Sequence, residues 1–200
     1  MLSFFFDSWW PGMLVWSLLY VSDYVLTLKC ARLYAAQKTI RFEGSYELTP
    51  YFQRDIDSLR AVSPRFLFAL LLTLGMLGFL WLLNGQSSAP FLWQFILGCL
   101  ICVQLALHTR HLRNLFLFRS INSTTFVQGR VEYSRTLSLR MSSWECFVFS
   151  GFFLVLFAFT QSWFILGGVV QCFVMGIKHR RLASRFQTRI AGPVQSPEQT

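Results

Sequence analysis

Two ionisable residues lie in or beside apolar stretches of the sequence and are its strongest candidates for chemistry. Asp23 falls inside the apolar run 9–28, and His108 directly follows the run 91–107. A carboxylate at membrane depth is costly unless it is paired, protonated or hydrated, and an imidazole titrates near neutral pH. Asp23 and His108 therefore predict a proton-linked pair, or a site for a cation or a substrate headgroup. The alternative is that Asp23 only bridges neighbouring helices while His108 contacts lipid headgroups.

Gln104 and Glu145 complete the candidate polar site. Gln104 lies in the same apolar run that leads to His108, and Glu145 lies at the start of a later one. His108 and His111 are three residues apart on one helix face, where a metal could bind with Glu145 or Asp23 as a third ligand. Histidines in a basic flank more often contact headgroups. We therefore predict no metal site and no cofactor.

The sequence has no motif of the common enzyme classes. It contains no G-x-S-x-G, H-E-x-x-H, P-loop or dinucleotide-binding fingerprint, and no cluster of intramembrane acids. Its five cysteines lie in or beside apolar runs, without the spacing of a secreted disulfide scaffold. We interpret them as small buried side chains. An enzyme remains an open alternative that no motif supports.

The elements that must position these residues are apolar helices. With 54% hydrophobic and 14% charged residues, the chain is too apolar for a soluble domain. Five runs can form membrane spans, at 9–28, 66–83, 91–107, 144–160 and 163–177. At ~1.5 Å per residue the last run is about 22 Å long, which is short against a hydrocarbon core of about 30 Å. One kinked helix over 144–177, giving four spans, is the alternative.

The positive charges favour five spans over four. All 18 Lys and Arg residues fall in three stretches, 29–65, 110–140 and 178–189. Five spans put all three stretches on one side of the membrane, whereas four spans put the last on the opposite side. The positive-inside rule then places the N-terminus outside and the C-terminus inside. Five tryptophans fall at the predicted outer ends, as headgroup contacts would: Trp9, Trp10, Trp81, Trp93 and Trp163.

The two inner linkers, 29–65 and 108–143, are too long to be simple turns. In the first linker, Thr49 and Pro50 form a helix-start signal. Apolar residues follow at helical spacing, at positions 52, 56, 59 and 62. This pattern predicts an amphipathic helix that lies on the membrane surface or on the protein's own inner face.

A second, basic amphipathic helix is predicted over 178–190. Its cations are expected to bind anionic headgroups of the inner leaflet: Lys178, Arg180, Arg181, Arg185 and Arg189. Because the net charge of +9 comes from residues beside apolar runs, we predict lipid partners and no nucleic acid. The tail 191–200 is predicted to be disordered.

The two linkers also suggest an internal repeat. Gly44 and Glu47 of the first linker align with Gly129 and Glu132 of the second, and apolar residues alternate around both matches as in half-buried strands. The flanking spans align in the same order. This predicts two parallel copies of a helix, a strand-bearing linker and a helix, followed by a fifth helix.

The sequence thus predicts an all-α integral membrane protein: a five-helix transmembrane bundle in one domain, 1–190, with a small cytoplasmic layer. Its predicted location is a bacterial inner membrane. The leading functional prediction is a non-enzymatic scaffold or accessory subunit, with protein partners or a second copy of itself, because most non-membrane mass lies on the inner face. The alternatives are a small proton-linked carrier that uses Asp23 and His108, and a lipid-interface enzyme.

Overall fold

The computed structural model describes residues 8–86, 90–123 and 129–190, which are mostly helical. Six helices and two short strands occur in these ranges: α1 (Trp9–Ala36), β1 (Ile40–Phe42), α2 (Pro50–Asp57), α3 (Pro64–Gln86), α4 (Pro90–Ser123), β2 (Val131–Tyr133), α5 (Arg135–Thr160) and α6 (Trp163–Ile190). The predicted disordered tail 191–200 lies outside the described residues, as does the side chain of Arg189.

Among the described residues, four helices are long and apolar enough to cross a membrane: α1, α3, α4 and α5. They carry apolar side chains on their outward faces as well as their inward ones. Phe68 of α3 is 61% exposed and Phe159 of α5 is 83% exposed. Helices that are apolar all round are typical of membrane spans. α6 is apolar only in its first part, because its second part carries the basic residues from Lys178 onward.

α4 is the central helix of the bundle. It packs along α1 on one side and along α6 on the other, while α5 packs mainly on α6 and α3 lies at the edge of α1 and α4. α1 and α4 run in the same direction, since Asp23 contacts His111 and, further along both helices, Leu33 contacts Asn122.

α5 and α6 form an antiparallel hairpin. Ser143, near the start of α5, donates a hydrogen bond to the carbonyl of Gly176, and Ser150 donates to the carbonyl of Val169. The chain reverses at Gln161, which has a φ of +49°. The segment 144–177 is therefore two packed helices rather than one kinked helix. As a result, the ends of α1, α4 and α6 and the starts of α3 and α5 gather at one end of the bundle, here called the basic end.

Glycines bring the backbones of α4 and α6 into direct contact. A Cβ on Gly98 would lie 1.8 Å from the carbonyl oxygen of Phe164, and a Cβ on Gly167 would lie 2.1 Å from that of Phe95. No side chain fits at either position without a shift of the helices. Small residues of this kind are the usual means of close helix packing in membranes.

The helices of the bundle extend into both predicted linkers, 29–65 and 108–143, beyond the ends of the apolar runs. α1 continues to Ala36, α4 continues to Ser123, and α5 begins at Arg135. None of these extensions contains Gly or Pro, and their Arg, Leu and Ala residues are good helix formers. Charged residues therefore end the apolar runs without ending the helices.

The predicted amphipathic helix is shorter than expected. α2 ends at Asp57, since Leu59 adopts a φ of +51°, and Val62 is 62% exposed instead of continuing an apolar face. Phe52 and Ile56 pack against apolar residues of α1 and α3. α2 thus covers the protein's own helices.

β1 and β2 pair in parallel, joining the segments that follow α1 and α4. Ile40 lies opposite Val131, and Phe42 lies opposite Tyr133. Each predicted linker therefore does contain a short strand. The internal repeat stays a prediction.

The tryptophans at the end opposite the basic end are not all headgroup contacts. Trp9 and Trp163 are 53% and 47% exposed, and their contact with headgroups stays a prediction. Trp93 is instead buried, at 2% exposure, and its ring packs edge-on against Trp81. Its position beside α1 and α3 makes it part of the core.

Candidate functional site

A cavity of about 540 Å³ lies at the basic end, and all six helices and both strands contribute residues to its lining. This volume is typical of a small-molecule site. The cavity has two chemically different walls. An aromatic wall is formed mainly by α1, α2 and the two strands, and a polar wall by α4, α5 and α6.

The aromatic wall is built from stacked rings. Phe66 lies between Tyr20 and Tyr24, with centroid distances of 4.7 and 4.5 Å, and Phe42 stacks on Tyr133 at 5.4 Å. Rings held on both sides by other rings lose little further freedom when they contact a ligand. The wall therefore presents a preformed apolar surface.

Tyr46 supplies a polar point within the aromatic wall. Its hydroxyl accepts a hydrogen bond from Asn114 Nδ2 at 3.2 Å. Burial raises the pKa of Tyr46 above its ordinary value, so the phenol stays protonated near neutral pH.

Asp23 of α1 and His111 of α4 meet at the cavity. Asp23 Oδ1 lies 3.1 Å from His111 Nε2, and Thr27 Oγ1 lies 3.3 Å from the same nitrogen. Because the Thr27 hydroxyl already donates to the carbonyl of Asp23, it accepts from His111, which assigns the proton to Nε2. The contact of Asp23 Oδ1 with Nε2 is an ion-pair distance, and Oδ1 has no hydrogen-bond partner among the described residues. His111 Nδ1 is buried and has no hydrogen-bond partner in the described part of the chain. In the neutral imidazole this nitrogen is a free proton acceptor.

His108, the predicted partner of Asp23, lies elsewhere. His108 Nε2 is 2.5 Å from Ser22 Oγ, and Nδ1 is 2.7 Å from the carbonyl oxygen of Gln104. His108 does not line the cavity. The predicted Asp23–His108 pair is therefore replaced by Asp23–His111, one helical turn further along α4. The buried side chain of Gln104 leaves its Oε1 without a partner among the described residues.

Glu145 lies on the polar wall between two arginines. Arg113 Nη1 donates to Glu145 Oε1, and Arg110 Nε lies 4.0 Å from Oε2. The carboxylate is thus shared by two cations, and the group of three keeps one positive charge. Glu145 does not join the imidazoles: in the ranges that the structure describes, no three His, Cys, Asp or Glu side chains converge as metal ligands would.

A chain of polar contacts links Arg110, Ser142 and His179 across α4, α5 and α6. Arg110 Nη1 donates to Ser142 Oγ, and Ser142 Oγ lies 2.8 Å from His179 Nδ1. Burial, together with the charges of Arg110 and Lys178, lowers the pKa of His179 to about 4. The imidazole is therefore neutral near pH 7, accepts the Ser142 proton at Nδ1 and carries its own proton on Nε2. Ser142 and His179 had no distinguishing motif in the sequence.

The basic residues of α6 divide between the cavity and the outer surface. Lys178 lines the cavity, whereas Arg180, Arg181 and Arg185 are exposed outside it. Phe186, on the apolar side of the same segment, packs under the guanidinium of Arg135 at 5.0 Å. Binding of anionic headgroups by these residues stays a prediction.

No protein-family model matches the chain, and neither the comparison with curated proteins nor that with solved structures found a significant match. The function is therefore inferred from the geometry of the cavity.

Proposed function

We propose that the chain is a five-span membrane protein that binds a small amphipathic molecule in the cavity at its inner end. The spans are α1, α3, α4, α5 and the segment 163–177 of α6, with the N-terminus outside, the C-terminus inside and the basic end at the inner face. The alternating helix directions support this orientation, because they put the Lys- and Arg-rich helix ends together, as the positive-inside rule requires. A bacterial inner membrane fits the same rule and stays a prediction.

The observation that carries the binding function is the cavity itself. It is ligand-sized, and its lining combines a stacked aromatic surface with a cluster of cations and hydrogen-bonding groups. Protein interiors are otherwise packed to high density, since an empty volume forfeits dispersion contacts along its lining. A cavity of this size with such mixed walls is most simply explained by an amphipathic occupant.

Filling the cavity tests the proposal. Leu107 lines the cavity on α4, whereas Leu105 of the same helix is 46% exposed outside it. Leu107→Trp should remove the small molecule that native mass spectrometry finds on protein purified in mild detergent, while Leu105→Trp should keep it. If neither protein carries a small molecule and no membrane-lipid extract raises their melting temperature, the binding function is wrong.

The orientation has a separate test. Alkaline phosphatase fused at the turn 161–162 should be active, because that turn lies outside, and fused at the C-terminus it should be inactive. Activity at the C-terminus would instead support four spans, with both chain ends on one side.

A proton-linked carrier is the second candidate, and the Asp23–His111 pair favours it. A carboxylate beside an imidazole, with an unpartnered oxygen on one and an unpartnered nitrogen on the other, is an arrangement that a proton carrier could use. In proteoliposomes with an imposed pH gradient, the wild type should accumulate the co-purified molecule and Asp23→Asn should not. His108→Gln is the matched control, because His108 lies outside the cavity. Equal uptake by Asp23→Asn would exclude this mechanism.

The scaffold or accessory role stays a prediction that is compatible with ligand binding. Partner chains that co-purify in mild detergent would support it, and a partner-free preparation of full stability would count against it. A lipid-interface enzyme has no further observation in its favour.

A further inference from the structure

The polar wall of the cavity has open hydrogen-bond donors, and Arg110 is the central one. Its side chain is only 17% exposed. Among the described residues, the only hydrogen bond of its guanidinium is the one from Nη1 to Ser142; the contact of Nε with Glu145, at 4.0 Å, is an ion pair without a hydrogen bond. A guanidinium has five N–H donors. Most of the hydrogen-bonding capacity of Arg110 is therefore free.

His179 and Lys178 extend the row of donors. Because the Ser142 hydroxyl accepts from Arg110 and donates to His179 Nδ1, the remaining ring nitrogen of His179 carries a proton. Lys178 precedes it on α6, and no carboxylate of the described residues lies within ion-pair distance of its ammonium group. Three adjacent groups on this wall thus offer donors and no acceptor.

Two of the acids that line the cavity are already engaged. Both oxygens of Glu145 face arginines, and Glu47 Oε1 accepts a hydrogen bond from the Thr49 amide at 2.7 Å. Asp23 Oδ1 lies 3.1 Å from His111 Nε2 and has no hydrogen-bond partner among the described residues. The unused acceptors of the lining, Asp23 Oδ1 and His111 Nδ1, thus lie at the α1–α4 contact, whereas the wall with Arg110, Lys178 and His179 has unused donors and, with Arg113 and Glu145, a net positive charge. Cations and donors at the edge of such a cavity favour a ligand that brings acceptors, because hydrogen bonds to charged groups are stronger than neutral ones.

We propose that the cavity binds an anionic amphiphile, whose phosphate or carboxylate lies among Arg110, Lys178 and His179 and whose hydrocarbon part lies on the aromatic wall. This assignment rests on the proposed binding function and names its ligand class. A phosphate from a membrane lipid and a free phosphate would offer the same acceptors. The aromatic wall favours the lipid as the source.

The test compares probes that differ in one part only. Dioctanoyl phosphatidic acid and dioctanoylglycerol share their chains and differ in the phosphate, and inorganic phosphate lacks the chains. With the full-length protein in an uncharged detergent, isothermal titration should show phosphatidic acid binding at least ~10-fold more tightly than either of the others, the size expected of charge-assisted hydrogen bonds.

Variants locate the site. Arg110→Gln and Lys178→Gln should each lower the preference for phosphatidic acid over dioctanoylglycerol by about 10-fold. Arg119→Gln removes the same charge from an exposed position of α4 outside the cavity and should keep the preference. Lys178 is exposed and makes no hydrogen bond in the described part of the chain, so its replacement keeps the test valid if Arg110→Gln does not fold.

The outcomes separate the two proposals. Equal binding of phosphatidic acid and dioctanoylglycerol, both blocked by Leu107→Trp, would overturn the anionic assignment and keep the binding function. If inorganic phosphate binds as tightly as phosphatidic acid, the ligand is not an amphiphile. An unchanged preference in both Arg110→Gln and Lys178→Gln would also overturn the assignment. Absence of binding by every probe, with no effect of Leu107→Trp, would count against the binding function itself.

Discussion

Asp23 Oδ1 of α1 lies 3.1 Å from His111 Nε2 of α4, so that a carboxylate and an imidazole from two parallel helices meet at the cavity wall. The side chain of Asp23 is 20% exposed and that of His111 is 10% exposed. Each polar group would be costly to bury alone, and together they offset part of that cost. The pair therefore favours the observed register of α1 against α4.

Replacing either partner should destabilise the protein. Asp23→Asn and His111→Gln should each lower the free energy of unfolding by about 1–3 kcal/mol, because the remaining partner loses a close contact in a mostly buried site. The double variant should lower the free energy of unfolding by less than the sum of the two single effects, and the difference, the coupling energy, should be about 1 kcal/mol. Unfolding in mixed micelles measures all three values.

His108 provides the control for this comparison of single and double variants. It contacts Ser22 and not Asp23, so the effects of His108→Gln and Asp23→Asn should add to within about 0.5 kcal/mol. Coupling of Asp23 to His108, with none to His111, would show that α4 is shifted by one turn relative to the structure.

The sequence could identify Asp23 but not its partner. A carboxylate in an apolar run is conspicuous because of its cost, whatever the fold. The choice between His108 and His111 depends on how far α4 slides along α1, and one turn is only about 5.4 Å. That shift is set by packing along the whole length of both helices. The helices themselves were predictable from the apolar runs, although their ends were not.

The cavity could not be predicted, because distant parts of the chain form it. It requires β1 to pair with β2, α2 to fold back on α1 and α3, and α6 to bring His179 to Ser142. Each of these is a long-range contact that local spacing does not encode. His179 lies in a basic stretch and has the same local pattern as a headgroup contact, so only its burial reveals its different role.

His179 should make the protein sensitive to acid. In the unfolded chain its pKa is near the ordinary value of 6.5, and in the folded protein it is lowered to about 4 by burial and by the charges of Arg110 and Lys178. Between these values the unfolded chain binds more protons. Stability contributed by the neutral imidazole is therefore complete above about pH 6.5 and decreases as the pH falls towards 4, by on the order of 3 kcal/mol at most.

The measurement is the melting temperature in detergent between pH 7.5 and 4, a range set by the two pKa values of His179. His179→Gln keeps an acceptor for Ser142 but cannot protonate, so its melting temperature should depend less on pH. His108→Gln should keep the wild-type dependence. Equal acid sensitivity of wild type and His179→Gln would contradict the assignment.

The contact between α4 and α6 should tolerate no side chain at Gly98. Its Cβ would lie 1.8 Å from a backbone oxygen of Phe164, and backbone cannot rotate away as a side chain can. Gly98→Ala should lower the free energy of unfolding by about 3 kcal/mol, towards the upper end of the losses caused by overpacking. Gly75→Ala and Gly78→Ala are matched controls on α3, where no atom of the described residues lies within 4 Å of the added methyl group, and they should be neutral or slightly stabilising. A loss at Gly75 as large as at Gly98 would indicate that α3 packs against something outside this chain.

The pairing of β1 with β2 can be tested by cross-linking. Arg41 and Glu132 are opposite each other in the parallel pair, and neighbouring strands lie about 4.8 Å apart, within the range that a disulfide spans. Arg41→Cys combined with Glu132→Cys should therefore form a disulfide under mild oxidation, detected by non-reducing peptide mapping. Arg41→Cys with Arg130→Cys is the control, because two residues along a strand add about 6.6 Å and take the pair out of reach. Failure of the first pair to cross-link would thus reject the strand register, and with it the closure of the cavity by the two strands.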